Sequence, residues 1–447
     1  MTDNTDAYED IDITRLGHEG DGIGARPGTR PDGAGPNGGG SSGGGMVFVA
    51  HTLPGERVRI ARDEETRGSD RARLVEILTP SPERAAPVCQ HFTVCGGCAM
   101  QHLSQPAYVA WKTAILTGAL GQHGLVDLPL APMVVAPLGS RRRAILGAKR
   151  TAHGVVLGFH EPRGHRILDL AECPVSDPAI VTRLAALRDL VEPLLTRALA
   201  QGGQGLRLIV TAVDNGVDVV IEGAGGTLSA AQREELAQAA TAARVLRVSL
   251  DRDPVFMAAE PTIRFGTVDV VPPPGVFLQA VPAIERAMAD DIVAAVGKAK
   301  RVVDLFAGVG TFTFPLARRA DVTAVDSDKR AIAALVEANR RGQGVRPVTA
   351  TVRDLFRDPL APRELDTYEA IVVDPPRAGA ADQAERIARS KVGTVVMVSC
   401  APGTLARDLA TLVAGGYRIE RITAYDQFLY STHLETVTVL QRPRSRN

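Results

Sequence analysis

The sequence predicts an α/β chain with a mostly parallel, doubly wound sheet at 271–447, an α+β region at 81–270 and a small OB-type β-barrel at 9–80. Three observations carry this prediction. From Val276 onward, apolar β-branched runs alternate with helical intervals, the pattern of successive βαβ units. Two of those runs, Ile371–Val373 and Thr394–Val398, are short, apolar and followed by polar residues, as buried parallel strands are. Before Leu78, short β-rich runs are separated by Gly and Pro turns, which suits a five-stranded barrel.

The 447 residues have room for two to four domains, and 45% hydrophobic with 23% charged residues is the balance of a globular protein. Formal net charge is zero, so a nucleic-acid partner must be met by local basic patches. The patch that stands out is Arg141-Arg142-Arg143, followed by Lys149 and Arg150; it reads equally as the solvated start of a strand. The acidic N-terminus MTDNTDAYEDID lacks the basic and apolar parts of a secretory signal. No apolar run approaches the roughly 18 residues of a membrane span, so a cytoplasmic location without membrane contact is expected. Nothing signals an obligate protein partner.

Taken in order, IDITRLGHEGDGIGA, MVFVAHTLPGERVRIAR and RARLVEILTP supply the barrel strands. The Gly-rich interruption at 26–45 cannot bury enough surface to fold and reads as a flexible, disordered insertion in the barrel. Five cysteines argue for metal binding or catalysis over disulfides. Cys89, Cys95 and Cys98 are closely spaced, and Cys173 precedes Pro174 far downstream, a set that suits a four-thiolate site. Zinc is the alternative occupant, although Cys89-x5-Cys95 fits its paired spacing poorly. A radical enzyme using S-adenosylmethionine is disfavoured by the same spacing.

Tyr108 to Leu120 reads as a helix bearing Trp111, GSRRRAILGAKR and GVVLGFHEP as strands, and LRLIVTAV with VDVVIEG as a hairpin turning at Asn215-Gly216. Ser229-x-x-Gln232 caps a helix through Ala243. Phe277-Leu278-Gln279 leads into a helix ending near Val296. The strand KRVVDLF then enters Ala307-Gly308-Val309-Gly310-Thr311, and DVTAVD ends on Asp326, 22 residues after Asp304. Glycines allow close backbone approach and an acid about 20 residues on can grip ribose hydroxyls. Thr313 replaces the third glycine of the dinucleotide fingerprint, which favours another adenosine-bearing cofactor over NAD.

Strands fall near 302–306, 322–326, 347–352, 370–374, 394–399, 417–424 and 435–441. Seven strands match the sheet of class I methyltransferases, whose last strand runs antiparallel between the fifth and sixth. Asp374 and Cys400 then occupy neighbouring strand tips, where open α/β sheets bind ligands, and Glu435 can face Cys400. A lone cysteine is ordinarily a core residue. Here Pro402 and Gly403 follow it at once, which is loop chemistry.

In sequence, FLQ at 277–279, DLFAGVG at 304–310, DPPRAGA at 374–380, SCAPGTLARD at 399–408 and HLET at 433–436 resemble the motifs of the S-adenosylmethionine-dependent RNA uracil-C5 methyltransferases. With the cysteine set and a barrel resembling a TRAM domain, the chain is most similar to the branch that carries a [4Fe-4S] cluster and methylates 23S rRNA. The resemblance implies Cys400 as nucleophile and Glu435 as base. It implies Gln279, Phe306, Thr311, Asp326, Asp354 and Asp374 around S-adenosyl-L-methionine, and Cys89, Cys95, Cys98 and Cys173 around the cluster. Thr311, Asp326 and Ala401 stand where the family often has Asn, Glu and Asn.

Uracil C5 is a poor nucleophile, so a thiolate adding at C6 must load electron density onto it, and Cys400 needs an environment that lowers its pKa. A base removes the C5 proton before elimination frees the thiol. The target uridine must leave its stack, which calls for single-stranded or loop RNA and an aromatic rim, with Phe428 and Tyr430 as rim residues. A transfer-RNA uracil methyltransferase and an inactive metal-bearing RNA-binding protein are the alternatives.

Overall fold

The computed structural model describes residues 8–26, 45–61, 70–200 and 202–443. Most of the Gly-rich insertion expected at 26–45 lies outside the described residues. The chain divides into two compact units, Met1–Ile115 with Tyr430–Thr432, and Leu116–Leu429 with His433–Asn447.

The first unit contains a closed five-stranded barrel, ordered Tyr8–Leu16, Gly22–Ala25, Met46–Val49, Arg71–Thr79, Arg57–Ala61. Its interior is built by alternation: Ile11, Ile13, Val47, Val49, Val58 and Ile60 all point inward and are buried. Arg59, on the outer face, pairs with Asp10 at 2.9 Å and Glu76 at 3.2 Å across neighbouring strands. A second small core is formed by Leu53, Met100, Leu103 and Tyr108, with Leu16, Ala99 and Trp111 packed against it. The Tyr430 backbone belongs to this unit, bonding to Ala99, Met100 and the Tyr108 hydroxyl.

The second unit holds two larger sheets. A six-stranded one runs in the order Asp253–Met257, Arg247–Leu250, Gly216–Glu222, Leu206–Val213, Arg143–Thr151, Gly154–Gly158. Its central hairpin forms as expected, but the two-residue turn is Asp214–Asn215, because Gly216 already pairs with Val213. The Asn215 amide is used elsewhere, donating to Glu260 O and accepting from Thr262 N, both at 2.9 Å. The helix Ala230–Ala242 opens with both bonds of the capping box between Ser229 and Gln232.

The C-terminal sheet has eight strands, ordered Val348–Val352, Asp321–Asp326, Arg301–Leu305, Ala370–Val373, Thr394–Ser399, Glu435–Gln441, Arg418–Asp426, Val134–Val135. Seven are those expected. The last in sequence is antiparallel to both of its neighbours, Thr394–Ser399 and Arg418–Asp426. The eighth, Val134–Val135, is a two-residue parallel addition at the edge. Ala370–Val373 is buried on both faces, as a central parallel strand should be. Helix Lys329–Arg341 buries Ala331, Ile332, Leu335 and Ala338, one stripe of an amphipathic helix. Among the described residues no helix is long and apolar enough to cross a membrane.

Candidate active site

The carboxyl ends of the central strands open onto one cavity of about 430 Å³. Gln279, Phe306, Thr311, Asp326, Asp374, Cys400 and Glu435 all line it. Asp354 is not among the lining residues. Its carboxylate accepts from Phe356 N at 3.0 Å, and the Phe356 ring is the part that reaches the cavity.

Local geometry explains the adenosine side of the cavity. Phe306 follows the strand Arg301–Leu305 with φ of 63°, a left-handed conformation that costs a non-glycine residue energy and turns the chain into the glycine loop. Its ring packs on Phe356 with centroids 5.5 Å apart. Asp326 accepts from Gly308 N at 2.9 Å and from Asp328 N at 2.7 Å, so the acid fixes the glycine loop as well as facing the cavity. Beneath it, Asp304 is fully buried, accepts from the Thr313 hydroxyl at 2.6 Å and keeps one oxygen without a partner. Burial pushes its carboxyl up to about 7.

The thiol and the carboxylates meet because of strand register. Ser399 pairs with Thr436, so the next residues outward, Cys400 and Glu435, face one another across the antiparallel pair. Glu435 is 2% exposed; Gln427 Nε2 donates to one of its oxygens at 3.2 Å and the other has no partner. Burial, followed by the Asp374 charge, holds its carboxyl well above the usual range. Asp374 accepts from Gln279 Nε2 at 3.3 Å and is pushed up to about 7, by burial first and Asp304 second.

Cys400 departs from expectation. Its thiol is pushed up to about 11, by burial first and then by Glu435 and Asp374, with Arg377 opposing. The start of helix Pro402–Ala414 directly after it favours a thiolate, but two facing carboxylates and loss of water outweigh that pull. The folded chain therefore stores this sulfur as a thiol.

The residues matched by the family described as tRNA (Uracil-5-)-methyltransferase are 271–443, which contain every lining residue of this cavity. An uncharacterized RNA methyltransferase of Brucella suis is 45% identical over 97% of this chain and 98% of its own length. The chain belongs to the RNA uracil-C5 methyltransferases. It is an S-adenosyl-L-methionine-dependent RNA (uracil-5-)-methyltransferase. Also similar is the 23S rRNA (uracil(1939)-C(5))-methyltransferase RlmD of Alkalilimnicola ehrlichii, 34% identical over 97% of this chain and 96% of that protein. Among solved structures, the Pyrococcus abyssi tRNA (uracil-54, C5)-methyltransferase in complex with S-adenosyl-L-homocysteine superposes with a TM-score of 0.70, covering 96% of this chain and 99% of that one at 24% identity. That superposition establishes the class I methyltransferase fold for this uracil-C5 methyltransferase, with its additional sheet and N-terminal barrel.

The arginine run of the methyltransferase is not the basic patch its sequence suggested. Arg142 is 2% exposed, ion-paired with Glu285, and donates Nε to Gln279 O at 2.8 Å. Arg143 donates to Val276 O at 2.9 Å, and Arg141 stacks over the Phe428 ring at 5.6 Å. A guanidinium carries up to five donors, and here Arg142 and Arg143 turn some of theirs to carbonyls of the loop that delivers Gln279, while Arg141 Nε donates to Arg143 O. Aromatic rings line the cavity as well. Tyr430 packs against Tyr108 in the first unit, whereas Phe277, 66% exposed, and Phe356 line the cavity. In the sequence Phe277 stands out only as the first residue of the FLQ motif at 277–279.

Two further residues escaped the sequence reading. Gln427 is buried, its oxygen accepting from Ala280 N at 2.7 Å and Val281 N at 3.3 Å. Its amide group donates to Gln279 Oε1 at 2.6 Å and to Glu435, so one side chain joins the cofactor side to the acid side. Arg377 lines the cavity and bonds the His433 ring at 2.6 Å. Cys89, Cys95, Cys98 and Cys173 are partly exposed, and none forms a disulfide. Among the described residues, no group of three or more His, Cys, Asp or Glu side chains gathers as metal ligands.

Proposed function

We propose that this enzyme methylates C5 of a uridine in 23S rRNA through a covalent bond between Cys400 and uracil C6, with Glu435 as the base. The observation that carries the reading is the convergence of Cys400, Glu435 and Asp374 on one cavity with the Phe306 and Asp326 loop. The lining fits S-adenosyl-L-methionine: Asp326 offers carboxylate oxygens to a ribose, Phe306 and Phe356 give an aromatic wall, and the buried acids favour a cation. When bound, that cofactor supplies a methyl group on a positively charged sulfur.

The chain's own groups do the rest. Cys400 must lose its proton, and Glu435, facing it with an unpartnered oxygen, is placed to hold that proton or to receive the one from C5. Sulfur adds to C6 and the pyrimidine electrons move to C5, which takes the methyl group. Loss of the C5 proton to carboxylate then reforms the double bond and expels the Cys400 sulfur. Gln279 and Gln427 keep Asp374 and Glu435 in place during the exchange.

Support for 23S rRNA comes from the 34% identity to the Alkalilimnicola enzyme across nearly the whole of both chains. Incubation with methyl-labelled cofactor and separated ribosomal and transfer RNA tests it. The reading expects 5-methyluridine in ribosomal RNA; label confined to transfer RNA would replace it with the transfer-RNA alternative. We also assign the four cysteines outside the site, Cys89, Cys95, Cys98 and Cys173, to a [4Fe-4S] cluster. Their soft thiols, uncommitted to disulfides, support this in donor chemistry, although they form no ligand group in this structure. Iron and sulfide analysis of anaerobically purified protein tests the assignment, and no catalytic step depends on it.

A further inference from the structure

A second cavity, of about 470 Å³, abuts the first, with Thr311 lining both. Helix Pro282–Val296, the segment after helix Thr313–Ala317 and the hairpin Ile263–Phe265/Val268–Val270 form its walls. Its charge is uneven, with five arginines against three carboxylates. Two of the arginines are satisfied: Arg142 by Glu285, and Arg264 by Asp269 through two bonds of 2.7 and 2.8 Å. Arg286, Arg318 and Arg319 are exposed and make no side-chain hydrogen bond or ion pair among the described residues. Glu285, its neighbour in sequence, is taken by Arg142, and Asp290, one turn beyond Arg286, makes no side-chain hydrogen bond or ion pair among the described residues.

Arg286 is the telling member. It sits just past the first turn of its helix, exposed on the face that lines the cavity, and no carboxylate takes its guanidinium among the described residues. A guanidinium fork matches a phosphate in two-point geometry, and three unspent forks around one concavity make an anion site. Arg141–Arg143, the other concentrated arginines, are spent on the protein itself. We propose that this cavity binds backbone phosphates of the RNA next to the target uridine. The proposal rests on the RNA methyltransferase reading and adds where the strand is held.

The test uses the full chain with Arg286, Arg318 and Arg319 all changed to Ala, and a second variant with all three changed to Lys. Affinity for a fluorescein-labelled oligouridylate is followed by anisotropy across a potassium chloride series. S-adenosyl-L-homocysteine binding by calorimetry serves as the folding control. The alanine variant should bind RNA at least about tenfold more weakly at low salt, with a salt slope shallower by roughly 0.7 for each phosphate no longer neutralised. The lysine variant should keep most of the slope, and the thioether ligand should bind all three proteins alike. Wild-type affinity and slope in the alanine variant overturn the proposal, as does loss of thioether binding in both variants. If wild-type enzyme methylates RNA while the alanine variant matches it throughout, only this inference fails; if wild-type enzyme methylates no RNA, the underlying reading fails with it.

Discussion

Gln427 donates to Gln279 Oε1 at 2.6 Å, and the same amide group reaches Glu435 at 3.2 Å. Its orientation is fixed because its oxygen already accepts two backbone N–H groups, from Ala280 and Val281. Gln427→Leu should therefore strand Gln279 Oε1 and both backbone donors, each buried polar group costing about 1–3 kcal/mol. Methyl transfer should fall and Tm should drop. Because the bond removed is one that holds the Glu435 carboxyl down, the acid limb of the pH–rate profile should move to higher pH. An unshifted profile would separate Gln427 from the acid.

Cys400 is held as a thiol, pushed up to about 11 by burial and the carboxylates around it. The thiolate is the reactive form, so alkylation of Cys400 by iodoacetamide should rise by about tenfold per pH unit between pH 7 and 9. Peptide mass mapping distinguishes it from the other four cysteines. A flat rate across that range contradicts the stored-thiol picture.

Asp304 carries a carboxyl raised to about 7 against an ordinary value of 3.8. A raised folded-state pKa means the stabilising contribution is complete below the unfolded value and is lost as pH climbs through 7. Asp304→Asn cannot ionise, and its oxygen still accepts from Thr313. The Tm difference, variant minus wild type, should grow more positive from pH 5 to pH 8.5. A difference independent of pH contradicts burial of an ionising acid there.

Arg142→Met leaves Glu285 buried without its counter-charge and releases the carbonyl of Gln279. Breaking a buried pair from one side costs about 3–5 kcal/mol. Thermal unfolding should show a Tm lower by several degrees, with the salt slope of RNA binding unchanged. The opposite result, normal Tm with a shallower slope, would restore Arg142 as a phosphate ligand.

Much of this was legible in the sequence, for physical reasons. The seven strands were readable because each is a short β-branched run between loop signals, and Ser229 with Gln232 because capping is a local event. Val134–Val135 was not, since a two-residue strand exists only through its neighbour Tyr425–Asp426. Arg141–Arg143 misled because a run of arginines looks the same whether its forks meet water or carbonyls. The raised Cys400 thiol gave no signal in the sequence either, since the two carboxylates that oppose it arrive on other strands. Gln427 gave no signal, as its three sets of partners lie 8 to about 150 positions away.

Everything in the catalytic account rests on sulfur at Cys400 bonding to the pyrimidine. The most direct measurement is intact mass analysis of Glu435→Gln incubated with substrate RNA and S-adenosyl-L-methionine, followed by nuclease and protease digestion. The account predicts a methylated uridine nucleotide attached to the Cys400 peptide, accumulating because its C5 proton has no base to go to. Full turnover by that variant with no nucleotide on Cys400, or full turnover by Cys400→Ala in the same assay, would contradict it.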